Sequence, residues 1–382
     1  MESLERFVVH VEEAVRFAAM DDVPHLRLGL VLLDGAAELL LLRECEAQLY
    51  FADQARRSTR QVQRAQLEMM DPYTRPFVFE HPESTPPVSA DRRKRINWDF
   101  GAKCDFLVER GVLLRPIARV LKKLHKYRNK AYHRDQIRLA TLASATRIYI
   151  FLVCWLMQNA PVRFLQFPST QPAWVSRYLH ENESIPDLMA GEGFHARIAT
   201  KLLTDANIDT PFELGRAFSE HYCDRLDAIQ DVAEAAALFF RRYEHDDDWD
   251  WEAALIRGQL DQPLPQLEDE CRTALEVIRE AIIGGQTLDQ IMAPPRIMSS
   301  TETRSLKVRF PPAKLRRWRA QGERLASQDG LTAFAAFADL EDALEPLEAL
   351  MDRFTTDLRR EDEYQRYKAM LQASWPKNTA TD

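Results

Sequence analysis

Residues Leu28 to Leu42 read LGLVLLDGAAELLLL. A helix over this stretch is apolar on nearly every side, so it has no face to offer water. Such a helix must be enclosed by others. The pattern around it predicts one helix over about 24–56 at the centre of a bundle. Asp34 and Glu38 interrupt the apolar run. A carboxylate among leucines calls for a partner, and Glu38 is the expected one to orient a cation brought against this helix.

The chain before and after it repeats at helical spacing. Leu4, Phe7, Val8, Val11 and Val15 mark a first helix over 3–20, broken by the DDVPH that follows. Residues 57–97 read as an excursion. It opens basic, carries a short alternating PFVFE, and ends in the Pro- and Ser-bearing HPESTPPVSADRRKR, which predicts loop. Helices are expected over 98–110, 115–134 and 135–159, completing a bundle of four or five. NAPVRFLQFPSTQPAW (159–174), with three prolines, marks a linker, expected over 161–180. The expected organisation is therefore a helical domain over 1–160 with a basic insertion at about 57–97, and a second, mainly helical region over 181–382.

In that second region, the TPFEL at Thr210 has a hydroxyl cap, a proline at the first helical position and a following glutamate, a good helix start. One helix is expected to about 220 and a second, acidic one to Tyr243. HDDDWDW (245–251) reads as an acidic helix start, and helices follow near 250–258 and 266–284. SLKVRF (305–310) alternates like a strand ahead of a proline-led basic helix over 312–327. The tail repeats Phe337, Leu340, Leu344, Leu347, Met351, Phe354, Leu358, but Pro346 lies inside the run and predicts two helices rather than one. The fold class expected is all-α.

Charge is distributed unevenly. Residues 1–165 hold 26 Lys and Arg against 20 Asp and Glu, while the rest holds 25 against 39. A basic half suits a polyanionic partner, and an acidic half suits solubility, a basic partner or restraint of the basic one. Five cysteines (45, 104, 154, 223, 271) are scattered without a Cys-x-x-Cys pair. That spacing argues against a zinc site or a disulfide framework and for a reducing, cytoplasmic setting. The acidic, amphipathic N-terminus has no signal-peptide pattern. Of the two most apolar stretches, Leu28–Leu42 carries two acids and Ile148–Met157 is about ten residues long, so both are read as core helices and no membrane span is expected.

The most basic segment runs from Arg110 to Arg134, with nine Lys and Arg, two His and no acid. Within it, LKKLHKYRNKAYHRD places Arg128 five residues before His133, on adjoining helix faces about 140° apart. A guanidinium offers a fixed fork of donors to phosphate oxygens, and an imidazole moves protons near neutral pH. Lys122, Lys126, Lys130 and Arg134 surround the pair, and Arg92, Arg93, Lys94 and Arg95 form a second cationic run suited to phosphate tracking. His125, two turns before His133, reads as a surface histidine. No metal ligand set is evident.

The segment Phe100 to His133, FGAKCDFLVERGVLLRPIARVLKKLHKYRNKAYH, resembles the HEPN superfamily (higher eukaryotes and prokaryotes nucleotide-binding). The likeness rests on DFLVERG leading a turn and then a helix with Arg-Asn-x-x-x-His, and covers about residues 25–160. It implies a metal-independent endoribonuclease site of Arg128, Asn129 and His133, with Glu38 and Tyr132 in support and no cofactor. Cleavage would proceed by attack of the 2′-hydroxyl to a 2′,3′-cyclic phosphate. Because one His serves one proton transfer at a time, a homodimer with the site at its interface is expected. The partners implied are RNA (tRNA or mRNA) and a protein trigger or regulator acting through the acidic half, as in toxin and anti-phage defence proteins. The alternatives are a non-catalytic HEPN-like adaptor that dimerises, and a plain nucleic-acid-binding protein.

Overall fold

A computed structural model describes residues 2–69, 88–133, 138–159, 173–179, 193–208, 211–244, 247–260, 299–328 and 330–374. Among them the chain is all-α, with no strand. The helices are α1 (Glu2–Ala18), α2 (Val23–Met69), α3 (Ala90–Trp98), α4 (Phe100–Glu109), α5 (Arg115–His133), α6 (Leu139–Asn159), α7 (Phe194–Asp205), α8 (Pro211–Glu244), α9 (Trp251–Arg257), α10 (Ser300–Arg304), α11 (Pro312–Arg324) and α12 (Gly330–Ser374). The chain divides into two compact units, Met1–His221 with Arg324–Ala338, and Tyr222–Glu323 with Asp339–Asp382.

The first unit is organised around α2, which packs against α1, α3, α4, α5 and α6. Its Leu26, Leu30, Leu33, Ala36, Ala37, Leu40 and Leu41 are buried, but the helix is not enclosed on every side as expected, since Leu28 is 53% and Val31 37% exposed. Asp22 caps its start, the carboxylate accepting from the His25 backbone N–H at 2.9 Å. The helix runs thirteen residues past the expected end at 56, into the segment read as a loop. Residues 90–98 of that segment are helical too, because Ser89 caps α3 by accepting from the Arg92 N–H. The PFVFE stretch lies outside the described residues.

The α4–α5 connection has a local cause. Gly111 sits at φ +70°. With it in place, Gly111 N–H reaches the Val108 carbonyl and Val112 N–H the Leu107 carbonyl, both at 3.0 Å. This closes the last turn of α4 and aims the chain into α5, a turn that favours glycine. On α5, Val120, Leu124, Tyr127 and Ala131 recur at helical spacing; Val120, Leu124 and Ala131 are buried and Tyr127 is half-buried.

By length and composition α6 could cross a membrane, contrary to the ten-residue estimate, since the flanking Leu139–Arg147 extends the apolar run into one 21-residue helix. Its apolar window is 67% buried, and its neighbours are α1, α2, α5 and α7. It is the second core helix.

The first unit continues beyond the boundary expected near 160. Phe194, Ile198, Ala199 and Leu202 of α7 are buried, and the helix packs on α6 and α1. The prolines of the expected linker lie outside the described residues. α8 is one helix of 34 residues where two were expected. In its first part, a Cβ added to Gly215 would lie 2.6 Å from the Leu325 carbonyl oxygen and 2.7 Å from that of Gln328. Backbone cannot yield as a side chain can. Gly215→Ala is expected to destabilise the chain by about 1–3 kcal/mol, seen as a lower urea midpoint with an unchanged slope.

The second unit corrects two more expectations. Residues 305–310 form no strand; Ser305 and Leu306 N–H close a turn onto Glu302 and Thr303 carbonyls. The backbone pairing that a neighbouring strand would supply comes from a side chain, the Gln259 amide, which donates to the Phe310 carbonyl and accepts from its N–H, both at 2.9 Å. Pro346 does not divide the tail, and α12 passes through it. Arg225 explains how. Its guanidinium bonds Glu341 before the proline and Glu348 after it, while Leu344 and Leu347 are fully buried. Tertiary ties on both sides offset the one backbone bond the proline removes. HDDDWDW contributes a helix start as expected, with Asp250 accepting from the Ala253 N–H at 2.9 Å. Its Trp249, however, is buried against Phe240, ring centroids 4.5 Å apart. The helix expected over 266–284 lies outside the described residues.

Candidate active site

The basic helix α5 meets the core at Arg128, and what it meets is Asp34. This carboxylate is fully buried. It accepts from Arg128 through Nε at 2.9 Å and through Nη2, from His125 Nδ1 at 2.9 Å, and from the Tyr149 hydroxyl at 2.6 Å. Helices α2, α5 and α6 therefore converge on one acid. A buried carboxylate is tolerable only when its lone pairs are filled this way. Burial pushes the Asp34 carboxyl up, but the hydrogen bonds from His125, Tyr149 and Arg128 outweigh it and hold the group below the usual carboxylate range. Burial and the adjacent Asp34 charge push the Tyr149 phenol well up, so it remains a donor.

The same geometry fixes His125. A carboxylate only accepts, so the proton on that ring sits on Nδ1. The imidazole lies flat on Phe100, 4.3 Å between centroids and 9° between planes. Phe100 begins α4, capped by the Asp99 carboxylate. His125 is thus a half-buried part of the site, not the surface histidine expected. Its link to Asp34 spans 91 residues and leaves no trace in local spacing.

Arg128 keeps 26% of its side chain exposed. With Nε and Nη2 turned to Asp34, its Nη1 donates to Asn129 Oδ1 at 2.7 Å. Arg128 and Asn129 are therefore brought together as one fixed unit at the surface. Tyr132 and His133 occupy the last two positions of α5; their side chains, and all of Arg134, lie outside the described residues.

Glu38 is not brought to Arg128. It lies one turn after Asp34 on α2 and pairs with Lys103 Nζ at 2.9 Å. Lys103 is fully buried while Glu38 is 40% exposed, so Glu38 serves the amine that needs it more. The sequence signal for Asp34 was present, an acid in the same apolar run, but spacing along α2 does not say which of two carboxylates faces α5.

The cations expected to hold RNA are partly committed. Lys122 pairs with Asp105, Arg92 with Glu109, and Arg93 with Asp53 at 2.8 Å. Lys126 and Lys130 are exposed along α5, and Lys94 and Arg95 along α3. Among the described residues, no three His, Cys, Asp or Glu side chains are grouped so as to hold a metal ion.

No family model, curated protein or solved structure matches this chain.

Proposed function

We propose that the chain is a metal-independent endoribonuclease of the HEPN type, acting in the cytoplasm as a toxin or anti-phage defence protein. The observation that carries this reading is the Asp34-held Arg128–Asn129 pair, half-buried on a basic helix that ends five residues after Arg128 at His133. A guanidinium fixed before substrate arrives loses little freedom when charge develops on a phosphate.

In this reading the RNA 2′-hydroxyl attacks the adjacent phosphorus and the bond to the 5′-oxygen breaks. The products are a 2′,3′-cyclic phosphate and a 5′-hydroxyl. His133 takes the proton from the nucleophile or returns one to the leaving oxygen, Arg128 steadies the equatorial phosphate oxygens, and Asn129 orients one or the other. Asp34 and Tyr149 act through Arg128 and are positioning residues. A homodimer would supply a second His133 for the second proton transfer. The acidic half would restrain or trigger the site.

A second reading has its own support. Asp34 Oδ2 accepts from two donors on one edge of the Arg128 fork, Nε and Nη2, which also suits a structural ion pair in a non-catalytic adaptor. Purified full chain with tRNA and mRNA in excess EDTA separates the two. Cutting that leaves cyclic-phosphate ends on RNA, and no cutting of DNA, is the expected result. Intact RNA, with the chain still dimeric and harmless when expressed in cells, would place it with the adaptors.

A further inference from the structure

The acidic half of the chain contains one strongly basic ridge. Between Lys307 and Glu323 there are six Lys and Arg and one acid. Two of these cations are neutralised, Arg316 by Glu252 and Arg319 by Asp227. Arg309 and Lys314 are held differently. The Arg309 guanidinium lies over the Phe310 ring, 5.0 Å from its centroid. Lys314 Nζ sits 4.8 Å from the same ring and 5.0 Å from that of Trp318. Both rings belong to the packed interior, Phe310 2% and Trp318 5% exposed. Aromatic faces attract cations without cancelling their charge. Lys314 and Arg317 are three apart on α11 and so face the same side, and Arg317 is exposed. Among the described residues none of Arg309, Lys314 and Arg317 pairs with a carboxylate.

We propose that Arg309, Lys314 and Arg317 form a track for the phosphate backbone of RNA. Three features favour this ligand. The charges are positioned on a rigid aromatic floor yet left unneutralised, which is what a phosphate-binding side chain requires. They are strung from the entry to α11 along its first turns, where the helix N-terminus adds positive potential, and so suit an extended polyanion. Finally, Phe310, Leu315 and Trp318, the large apolar side chains of the ridge, are all buried, so nothing is offered to the interior of a lipid bilayer. The choice of RNA among polyanions rests on the ribonuclease reading.

The test is fluorescence anisotropy with a labelled single-stranded RNA, in the full-length His133→Ala chain so that no cleavage intervenes. Arg309→Gln/Lys314→Gln/Arg317→Gln is compared with the unaltered ridge across a salt series. Each phosphate neutralised on a single strand contributes about 0.7 to the slope of log K against log salt. The triple variant is expected to lose about 2 from that slope and at least tenfold in affinity at low salt, with unchanged helical circular dichroism. If it loses helicity, Arg317→Gln alone carries the test, with an expected loss of about 0.7. Equal affinity and slope in the variants would overturn the proposal, as would binding to phosphatidylserine vesicles but not to RNA. Binding at the ridge by a protein that never cuts RNA would support it while removing the ribonuclease reading.

Discussion

Asp34→Ala should lower stability by about 3 kcal/mol, at the low end for breaking a buried ion pair. The low end applies because Arg128, 26% exposed, can turn to water once its partner is gone. Tyr149 cannot, being fully buried, and its hydroxyl would lose its acceptor. Asp34→Asn should cost less, since an amide oxygen can still accept from Tyr149. The pH dependence has a definite sign. The Asp34 carboxyl is depressed in the folded chain, so its contribution is complete above the unfolded value of about 4 and fades as pH falls through the lower folded value. Urea midpoints of wild type should therefore drop on acidification below about pH 4 more than those of Asp34→Asn. Parallel curves for the two would mean that Asp34 is not ionised in the core. If the ribonuclease reading holds, Asp34→Asn should also reduce kcat more than it raises KM, because a loosened Arg128 is felt most where phosphate charge develops.

His133→Ala carries the largest expected effect on activity, a loss on the order of 10²–10⁴ in rate, the usual worth of a positioned acid or base. Arg128→Ala should cost on the order of 10²–10³, as for removal of one transition-state donor. Residues acting as one unit are not additive, so the double variant should be little worse than His133→Ala. Single-turnover cleavage of a defined RNA in EDTA measures all three. His133→Ala should remain folded and still bind RNA. A His133→Ala chain that cuts as fast as wild type would remove the proposed role of this residue.

The class of the fold was legible because helix signals are local. The apolar run at Leu28–Leu42 called for a bundle, and α2 does lie against five helices, although Leu28 and Val31 stay exposed where full enclosure was expected. Asp22, Gly111 and Asp250 end or begin their helices through atoms within a few residues of themselves, and those boundaries were read closely. Arg115–His133 matches the expected 115–134 for the same reason. Readings failed where a distant partner overrode a local preference. The Pro346 break is bridged by Arg225, more than a hundred residues away. The alternation of SLKVRF became an irregular turn because an all-helical neighbourhood offers Gln259 rather than another strand. The loop composition before Arg92 gave no sign of the helix that Ser89 caps.

The site divides in the same way. That Arg128, Asn129 and His133 share one basic helix follows from periodicity alone. Which acid holds Arg128 does not. Asp34 and Glu38 are four residues apart on α2, which on a helix is only about 40° of rotation and 6 Å of rise. Either could face α5 as far as spacing can tell. The choice depends on how α2, α5 and α6 pack, which brings Tyr149 and His125 to Asp34 and leaves Glu38 to Lys103. Local chemistry thus set the helices and the order of side chains along them, while contacts spanning 65 to 115 residues decided which of those side chains meet.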